Sequence, residues 1–359
     1  MLAESGNVAA LLECLRRQRC RDFSLYCCVN NVEGGYGYDD NQATLRLLAQ
    51  VHDLPLTVID RSSEGMGWSG KQRGVGWARK LLFERIVADA GDDELVVSLD
   101  ADTDFDDDYL TAVLATCNAN PTASAFSVPY YHPLSGDAEQ DRAMLRYECY
   151  MRRYRQQLQR IGSPYAFTAL GSAMVFPLWA YRRVGGITPL QGGEDFYLLQ
   201  KFAKTGTLVQ QFAEPWHSRH MAVRPQGRVS SRVPFGTGPA IARGVADMAA
   251  HYPFYTDEAF ALVRATYEVF PALYDGDVET PMSAFLRRQL ATDDPWSPLR
   301  RNFRRRDLFV HACTERVDGL RILQFLKSDP AFLLPDNQLP VDFLHDDIPT
   351  LNRYRDSLL

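Results

Sequence analysis

The first hundred residues alternate between short continuous apolar runs and longer segments whose apolar residues recur at helical spacing. Strands are predicted over residues 23–29, 54–59 and 94–99, and helices over residues 6–19, 41–51 and 72–90. The runs are rich in β-branched residues and bounded by turn residues, whereas the longer segments place apolar residues at i, i+3, i+4 and i+7. This alternation predicts an α/β protein with a mostly parallel sheet flanked by helices. Ligands bind such sheets beyond the carboxyl ends of the strands, where Asn30, Asp60 and Asp100 lie.

The remainder of the chain divides into two regions that differ in their predicted secondary structure. Further elements are predicted as helices over 107–116, 141–161 and 194–205 and a strand over 173–176. Beyond Gly238 the pattern is helical, has little strand character and is interrupted by prolines, among them Pro271, Pro281, Pro295 and Pro298. We therefore predict one domain over residues 1–238 and a mainly helical C-terminal extension over 239–359.

Composition excludes several classes of protein. No run approaches the roughly 20 apolar residues of a membrane span. The 39 basic and 45 acidic residues give a net charge of −6, so we predict no nucleic-acid partner. Seven cysteines without C-x-x-C spacing, and a start without the features of a signal peptide, predict a reducing cytoplasm and no structural zinc.

The third predicted strand ends in an unusual concentration of carboxylates. Residues 92–108 contain nine acids and no base, and Asp100 and Asp102 directly follow the strand. Carboxylates this dense are costly unless they are hydrogen-bonded or bound to a cation, so Mg²⁺ or Mn²⁺ is the predicted partner. We interpret Asp106–Asp108 as capping residues of the next helix. An EF-hand is excluded, because Phe105 and Thr111 occupy positions that require Gly and Glu.

Two glycine-containing segments have more than one interpretation. Residues 65–71 match the start of a dinucleotide-binding loop and of a P-loop, but Gln72 replaces the required Ser or Thr, and five residues separate the strand from Gly65. A loop over the active site or a plain surface loop is therefore predicted. Glu194 and Asp195 follow a Gly-Gly pair at the start of a predicted helix, where acids are favoured by the helix dipole.

Three segments, in this order, resemble family 2 of the GT-A glycosyltransferases. Gly74-Val-Gly76-Trp-Ala78-Arg79-Lys80 resembles the family's G-x-x-x-A-R-N helix start, and Asp100-Ala-Asp102 is similar to its D-x-D motif. Gly171 to Asp195 resembles the pattern that leads from a strand through V-G-G to G-x-E-D. The resemblance covers about residues 7 to 210 and implies a GT-A catalytic domain.

The chain departs from the family pattern in two places. Family members begin with a strand, whereas this sequence begins with a helix, and Asn30-Asn31 stands in place of an acidic pair. We expect either that the true start lies upstream or that the sheet lacks a strand. A missing strand would leave an unpaired edge.

The resemblance implies a metal-dependent inverting glycosyltransferase that uses a nucleotide-diphosphate sugar and a hydroxyl acceptor on a glycan or lipid-linked glycan. It implies Mn²⁺ or Mg²⁺ at Asp102 with Asp100, and Asp195 as catalytic base with Glu194 orienting acceptor or base. By position, the residues expected around the donor are Asn30, Asp60, Arg79, Asp100, Arg228 and Arg232. The last two arginines belong equally well to a domain-closing loop. His217 or His220 is a candidate late metal ligand, with a structural histidine as the alternative.

Two alternative functions are a nucleotidyltransferase and a non-catalytic nucleotide-sugar-binding or scaffold protein. A nucleotidyltransferase requires a glycine-rich basic loop directly after the first strand, which this chain lacks, and a non-catalytic relative would be expected to lose Asp102 or Asp195. Residues 287–306 contain seven arginines and two aspartates. They are interpreted as a solvated helix surface or, through Arg300–Arg306, as a contact with anionic lipid or an anionic glycan acceptor. The second interpretation predicts a cytoplasmic protein peripheral to the inner face of the membrane.

Overall fold

The computed structural model describes residues 1–210, 219–229, 236–246 and 252–358. They form two compact units. Unit 1 comprises Met1–Met144 and Phe167–Met248, and unit 2 comprises Leu145–Ala166 and Ala249–Leu359. Helices and strands are mixed in the chain, which is compatible with the predicted α/β class. The predicted domains, 1–238 and 239–359, stay a prediction, because compactness alone does not say which residues carry catalysis.

Unit 1 contains all the strands of the described residues. They are β1 (Leu25–Asn30), β2 (Leu56–Arg61), β3 (Leu95–Ser98), β4 (Thr103–Phe105), β5 (Ala123–Ser127), β6 (Met174–Pro177), β7 (Thr207–Val209) and β8 (Val223–Pro225). The helices up to Ala246 are α1 (Ser5–Arg17), α2 (Tyr38–Ala49), α3 (Val75–Asp89), α4 (Tyr109–Ala119), α5 (Ala138–Arg160), α6 (Leu178–Arg183), α7 (Glu194–Thr205) and α8 (Thr237–Ala246). Helix α5 begins in unit 1 and ends in unit 2.

The strands and helices predicted from apolar patterning are confirmed, with ends that differ by a few residues. Helix α7 covers the predicted range without a shift, and β1 and β3 lie in the apolar runs that predict them. Four strands were not predicted: β4, β5, β7 and β8. Three of these have only three residues, and such a strand is too short to show a periodicity of its own.

The prediction of one mostly parallel sheet is wrong. The described strands form a parallel pair β1–β2, a four-stranded sheet in the order β3-β6-β5-β7, and a pair β4–β8. Strand β6 is antiparallel to both of its neighbours, and β4–β8 is also antiparallel, so only β1–β2 and β5–β7 pair in parallel. A buried apolar run indicates a strand but carries no information about its direction, because direction is set by the path of the chain between strands.

One edge of β1 carries the first residue of the chain. The amino group of Met1 donates to the carbonyl oxygen of Cys28 at 2.6 Å, and the Asn30 amide donates to the Met1 carbonyl oxygen at 2.9 Å. These bonds flank Val29 in the pattern of a parallel ladder. The opposite edge pairs with β2, and within the described residues no strand pairs with the Met1 edge.

The apolar side chains of α1, α2 and β1 form a core cluster that supports this end of unit 1. Its buried members are Val8, Leu12, Cys27, Val29 and Leu48. The helical stripe of α1 and the apolar run of β1 therefore bury one another, as their patterning predicts. This packing fixes the carboxyl end of β1, where Asn30 lies.

In unit 2 the described elements beyond α5 are helices. They are α9 (Asp257–Val269), α10 (Ser283–Leu290), α11 (Ser297–Asn302), α12 (Arg306–Arg316), α13 (Gly319–Leu326), α14 (Val341–Leu344) and α15 (Ile348–Ser357), with 3₁₀ turns at Ala272–Tyr274, Pro330–Phe332 and Asp336–Gln338. The mainly helical character predicted beyond Gly238 is confirmed for these residues. Within the described ranges, no helix is both long and apolar enough to cross a bilayer.

A buried charge triad joins α5 to α15 in unit 2. The Glu148 carboxylate pairs with the guanidinium groups of Arg152, one turn later, and of Arg355. All three side chains are almost completely excluded from solvent. Arg152 also donates to the Arg355 carbonyl oxygen at 2.8 Å, and Arg355 donates to Asn352. Glu148 is thus the shared counterion of two buried cations.

We expect Glu148→Gln to lower the free energy of unfolding by about 3 to 5 kcal/mol, because it removes the carboxylate that two buried guanidinium groups share. The matched control is Glu268→Gln, since Glu268 pairs with Arg264 at the same spacing but in solvent. That change is expected to alter the free energy by less than about 1 kcal/mol. Urea unfolding of the three proteins measures both effects. Equal losses in the two variants would contradict a special role for the buried triad.

Candidate functional site

The buried guanidinium of Arg79 joins the three segments that resemble glycosyltransferase motifs. Arg79 lies in the second turn of α3, and its Nη2 donates to Oδ1 of Asp100, just beyond β3, at 2.5 Å. Its Nη1 donates to the carboxylate of Glu194, the first residue of α7. Asp100 is partly exposed, whereas Glu194 is buried. Residues that are distant in sequence are therefore held at one point in space.

Glycines make this approach possible. A Cβ atom on Gly171 would lie 1.9 Å from Nη2 of Arg79, so only glycine leaves room for the guanidinium. A Cβ atom on Gly76 would lie 2.1 Å from the carbonyl oxygen of Leu190, just before the Gly192-Gly193 pair. The glycines of two motif-like segments therefore serve close contacts in the structure, in addition to any local turn they form.

The acidic pair at the start of α7 lies in an environment that favours protonation. Burial raises the pKa of Asp195, and the nearby charge of Asp100 adds to this, while Arg79 opposes it. Burial also raises the pKa of Glu194, again against the influence of Arg79. One arginine faces three carboxylates, so the cluster has an excess of negative charge. A carboxylate whose pKa is raised is a stronger base than an ordinary one.

Asp102, the other candidate acid of the strand end, faces a different arginine. Its Oδ2 lies 3.1 Å from Nη2 of Arg228. The same nitrogen donates to Oε1 of Glu4 at 2.5 Å, and Glu4 is buried at the start of α1. Pairing of Thr103 with Pro225 in β4–β8 brings the two segments together, and the Gln226 amide donates to the Asp102 carbonyl oxygen at 3.2 Å.

The residues just beyond β3 include two carboxylates of the kind that divalent cations bind. Asp100 and Asp102 supply carboxylate oxygens, the ligands that Mg²⁺ and Mn²⁺ prefer. Three carboxylates surround the Arg79 guanidinium, and two carboxylates, those of Glu4 and Asp102, contact the Arg228 guanidinium. Each aspartate is nevertheless paired with an arginine in the structure, so a cation at Asp102 would compete with Arg228.

Among the described residues, another group has the composition of a metal site. Ligand atoms of Asp106, Asp108 and His220 lie within 4.8 Å of one another, and Nδ1 of His220 lies 2.9 Å from Oδ1 of Asp106. The same Asp106 oxygen accepts the Asp108 amide at 3.0 Å, as expected of residues at the start of α4. Arg19 contacts Asp108 at 3.4 Å. The Asp106–Asp108 segment is thus engaged with protein groups. Asp108 is the N-cap residue of α4, but its side chain accepts no hydrogen bond from the helix amides, so side-chain capping by this residue is not observed.

The other residues predicted near a donor lie together at the ends of β1 and β2. The pairing of the two strands places Val29 opposite Asp60 and Asn30 opposite Arg61. Asn30 is buried, and its carbonyl oxygen accepts from Nδ2 of Asn41 at 3.0 Å. Oδ1 of Asp60 accepts the amides of Ser62 and Ser63 at 2.8 and 2.9 Å. Asp60 therefore shapes the turn after β2.

The glycine-rich segment after β2 holds a carboxylate of the protein itself. The Gly65 and Gly67 amides donate to the two carboxylate oxygens of Glu33 at 3.1 and 2.8 Å. The Trp68 amide and carbonyl oxygen form backbone bonds with Asn31 and Glu33. Since Glu33 occupies these amides, the loop does not present them to a phosphate as a P-loop would. Its interpretation as a loop, rather than a nucleotide-binding motif, is supported.

Four of the seven arginines in residues 287–306 pair with nearby acids of unit 2. Arg287 pairs with Glu279, Arg300 with Asp294, Arg305 with Asp307, and Arg306 with Asp275. Arg301 and Arg304 are exposed. This pairing favours a solvated helix surface, and the contact with anionic lipid or glycan remains a prediction.

Two predicted site residues, Arg232 and His217, lie outside the described residues. The sequence also did not predict several contacts around the site. Glu4 and Glu33 were not predicted, because each meets its partner through folding and no local pattern marks it. Arg228 was predicted near a diphosphate, but not as the partner of Asp102. Motif spacing does not reveal such pairing between distant segments.

In comparison with known proteins, no family model matches the chain and no curated protein matches it significantly.

Proposed function

We propose that this chain is a metal-dependent inverting glycosyltransferase with a GT-A fold, acting on a nucleotide-diphosphate sugar and a hydroxyl of a glycan or lipid-linked acceptor. The observation that carries the proposal is the buried Arg79, which links Asp100 to Glu194 beside Asp195. This is the set of residues that the resemblance assigns to donor binding and catalysis. The fold brings it together from three separate segments.

In the proposed reaction Asp195 removes the proton of the acceptor hydroxyl as its oxygen attacks the anomeric carbon. The bond from that carbon to the diphosphate oxygen breaks on the opposite face, so the configuration inverts and the nucleoside diphosphate leaves with the electron pair. A positioned carboxylate base typically contributes ~10² to 10⁴-fold. The raised pKa of Asp195 suits this role, because a stronger base accepts the proton more readily.

The chain's own cations and carboxylates position the donor. Asp102 with Asp100 would hold Mn²⁺ or Mg²⁺, which when bound neutralises the charge on the departing diphosphate. Arg79 fixes the Asp100 and Glu194 carboxylates relative to Asp195. Glu194, itself bound to Arg79, is proposed to orient the acceptor or the base. Asn30 and Asp60, at the neighbouring strand ends, are proposed to contact the nucleoside.

Ligand binding tests the proposal most directly. We expect UDP or GDP to raise the thermal unfolding temperature only in the presence of Mn²⁺, since a ligand of the native state adds about 2.7 kcal/mol at 100 times its Kd. Asp102→Ala should abolish the Mn²⁺-dependent part. Asp107→Ala, in the same acidic segment but paired with Arg17, should keep it. If neither diphosphate stabilises the protein with Mn²⁺, the proposed function fails.

The assignment of the base is tested by Asp195→Asn. This variant should transfer sugar roughly 10² to 10⁴-fold more slowly, because an amide does not accept the proton of the acceptor. Its Mn²⁺-dependent stabilisation by nucleoside diphosphate should equal that of the parent protein, which separates catalysis from binding. Retention of full transfer activity would remove Asp195 from this role.

The pH dependence of transfer has a predicted direction. Asp195 acts as its anion, so kcat/KM should fall as the pH decreases through the pKa of Asp195, which lies above the ordinary value for an aspartic acid. Asp100→Asn removes a negative charge that helps raise this pKa. The acidic limb of the profile should therefore move to lower pH, whatever the loss in maximal rate. A limb that stays in place or moves upward would contradict the coupling.

A further inference from the structure

Arg228 lies between the carboxylates of Asp102 and Glu4. A single nitrogen of its guanidinium contacts both the Asp102 carboxylate, at 3.1 Å, and the Glu4 carboxylate, at 2.5 Å. One third of the Arg228 side chain is exposed, whereas Asp102 and Glu4 are 14% and 7% exposed. The arginine is therefore partly accessible to solvent, whereas its two partners are mostly enclosed by the protein.

The backbone around Arg228 is fixed next to the strand end. The Gln226 amide donates to the Asp102 carbonyl oxygen, and the Arg228 amide donates to the Gln226 carbonyl oxygen, each at 3.2 Å. Immediately before this segment, Arg224 in β8 pairs with Asp104 of β4 at 2.9 Å. The contact between Arg228 and Asp102 thus follows from the pairing of β4 with β8.

The Arg228 guanidinium and a divalent cation would compete for the Asp102 carboxylate, because both are positively charged. With Arg228 in place the cation would meet a positive charge within a few ångströms, so its affinity for the site should be reduced. A diphosphate changes the balance, since arginine binds phosphate oxygens through charge-assisted hydrogen bonds.

We propose that Arg228 exchanges partners during donor binding: it holds Asp102 in the empty site and transfers to the diphosphate when the cation takes Asp102. Glu4 keeps the arginine beside the site in both states. This inference rests on the proposed function and adds a mechanism by which cation and donor bind cooperatively. By linkage, each must then increase the affinity of the site for the other by the same factor.

Direct binding of Mn²⁺ to the protein, without nucleotide, provides the test. The free ion is followed by electron paramagnetic resonance, which does not depend on activity. Arg228→Gln should bind Mn²⁺ about tenfold more tightly than the parent protein, because a competing charge is removed. At saturating Mn²⁺ the same variant should bind UDP or GDP about tenfold more weakly in calorimetry, because a phosphate contact is lost. The two effects have opposite signs.

Arg224→Gln is the matched control, since it removes an arginine from the same segment that pairs with Asp104 instead of Asp102. It should leave both affinities within about twofold of the parent. If Arg228→Gln fails to fold, Arg228→Lys tests the same point. A lysine keeps the charge but lacks the planar fork of donors. In Arg228→Lys, the affinity for Mn²⁺ should therefore rise and the affinity for the diphosphate should fall, each by a smaller factor than in Arg228→Gln.

Three outcomes overturn the exchange. They are Mn²⁺ binding by Arg228→Gln that equals that of the parent, binding that is weaker, and an equal change in Arg224→Gln. Each is distinguishable from failure of the proposed function, in which the parent protein itself binds neither diphosphate with Mn²⁺. The exchange stands if Mn²⁺ affinity rises while diphosphate affinity falls in the Arg228 variant alone.

Discussion

The candidate site depends on the ion pairs that the buried guanidinium of Arg79 forms with Asp100 and Glu194. Removing a guanidinium from water is costly unless its donors are satisfied, so this side chain requires the carboxylates of Asp100 and Glu194. To reach them it passes over Gly171, where any side chain would collide with it. The position of α3, the end of β3 and the start of α7 are thereby linked through one side chain.

Sequence patterns predicted the elements of this fold better than their arrangement. Helix α7 and strands β1 and β3 are encoded locally, by apolar spacing and by turn residues at their ends, so they could be located. The antiparallel direction of β6 is set by long-range pairing with β3 and β5, and no local pattern records it. The same limit explains why short strands such as β8, stabilised by a partner far along the chain, escaped prediction.

The residues of the candidate site likewise include some that the sequence predicted and some that only the folded structure reveals. Arg79, Asp100 and Asp195 were predicted because they lie in the three segments that resemble family motifs. The structure adds a physical reason for glycines in these segments, since Gly171 and Gly76 relieve close contacts around Arg79 and Leu190. Glu4 and Glu33 lie in none of these segments. Each is one acid among 45 acidic residues, and its significance comes from the amide or guanidinium that folding brings to it.

The two arginines of the site illustrate how burial separates a fixed charge from a movable one. Arg79 is enclosed, and moving it would leave the buried Glu194 without its cation, which is strongly unfavourable. Arg228 is one-third exposed, so water can replace its contact with Asp102 at smaller cost. In the proposed exchange, a charged ligand would meet one arginine that fixes the positions of two carboxylates and another that changes its partner. Because Asp100 and Asp102 lie only two residues apart, the same strand end presents both.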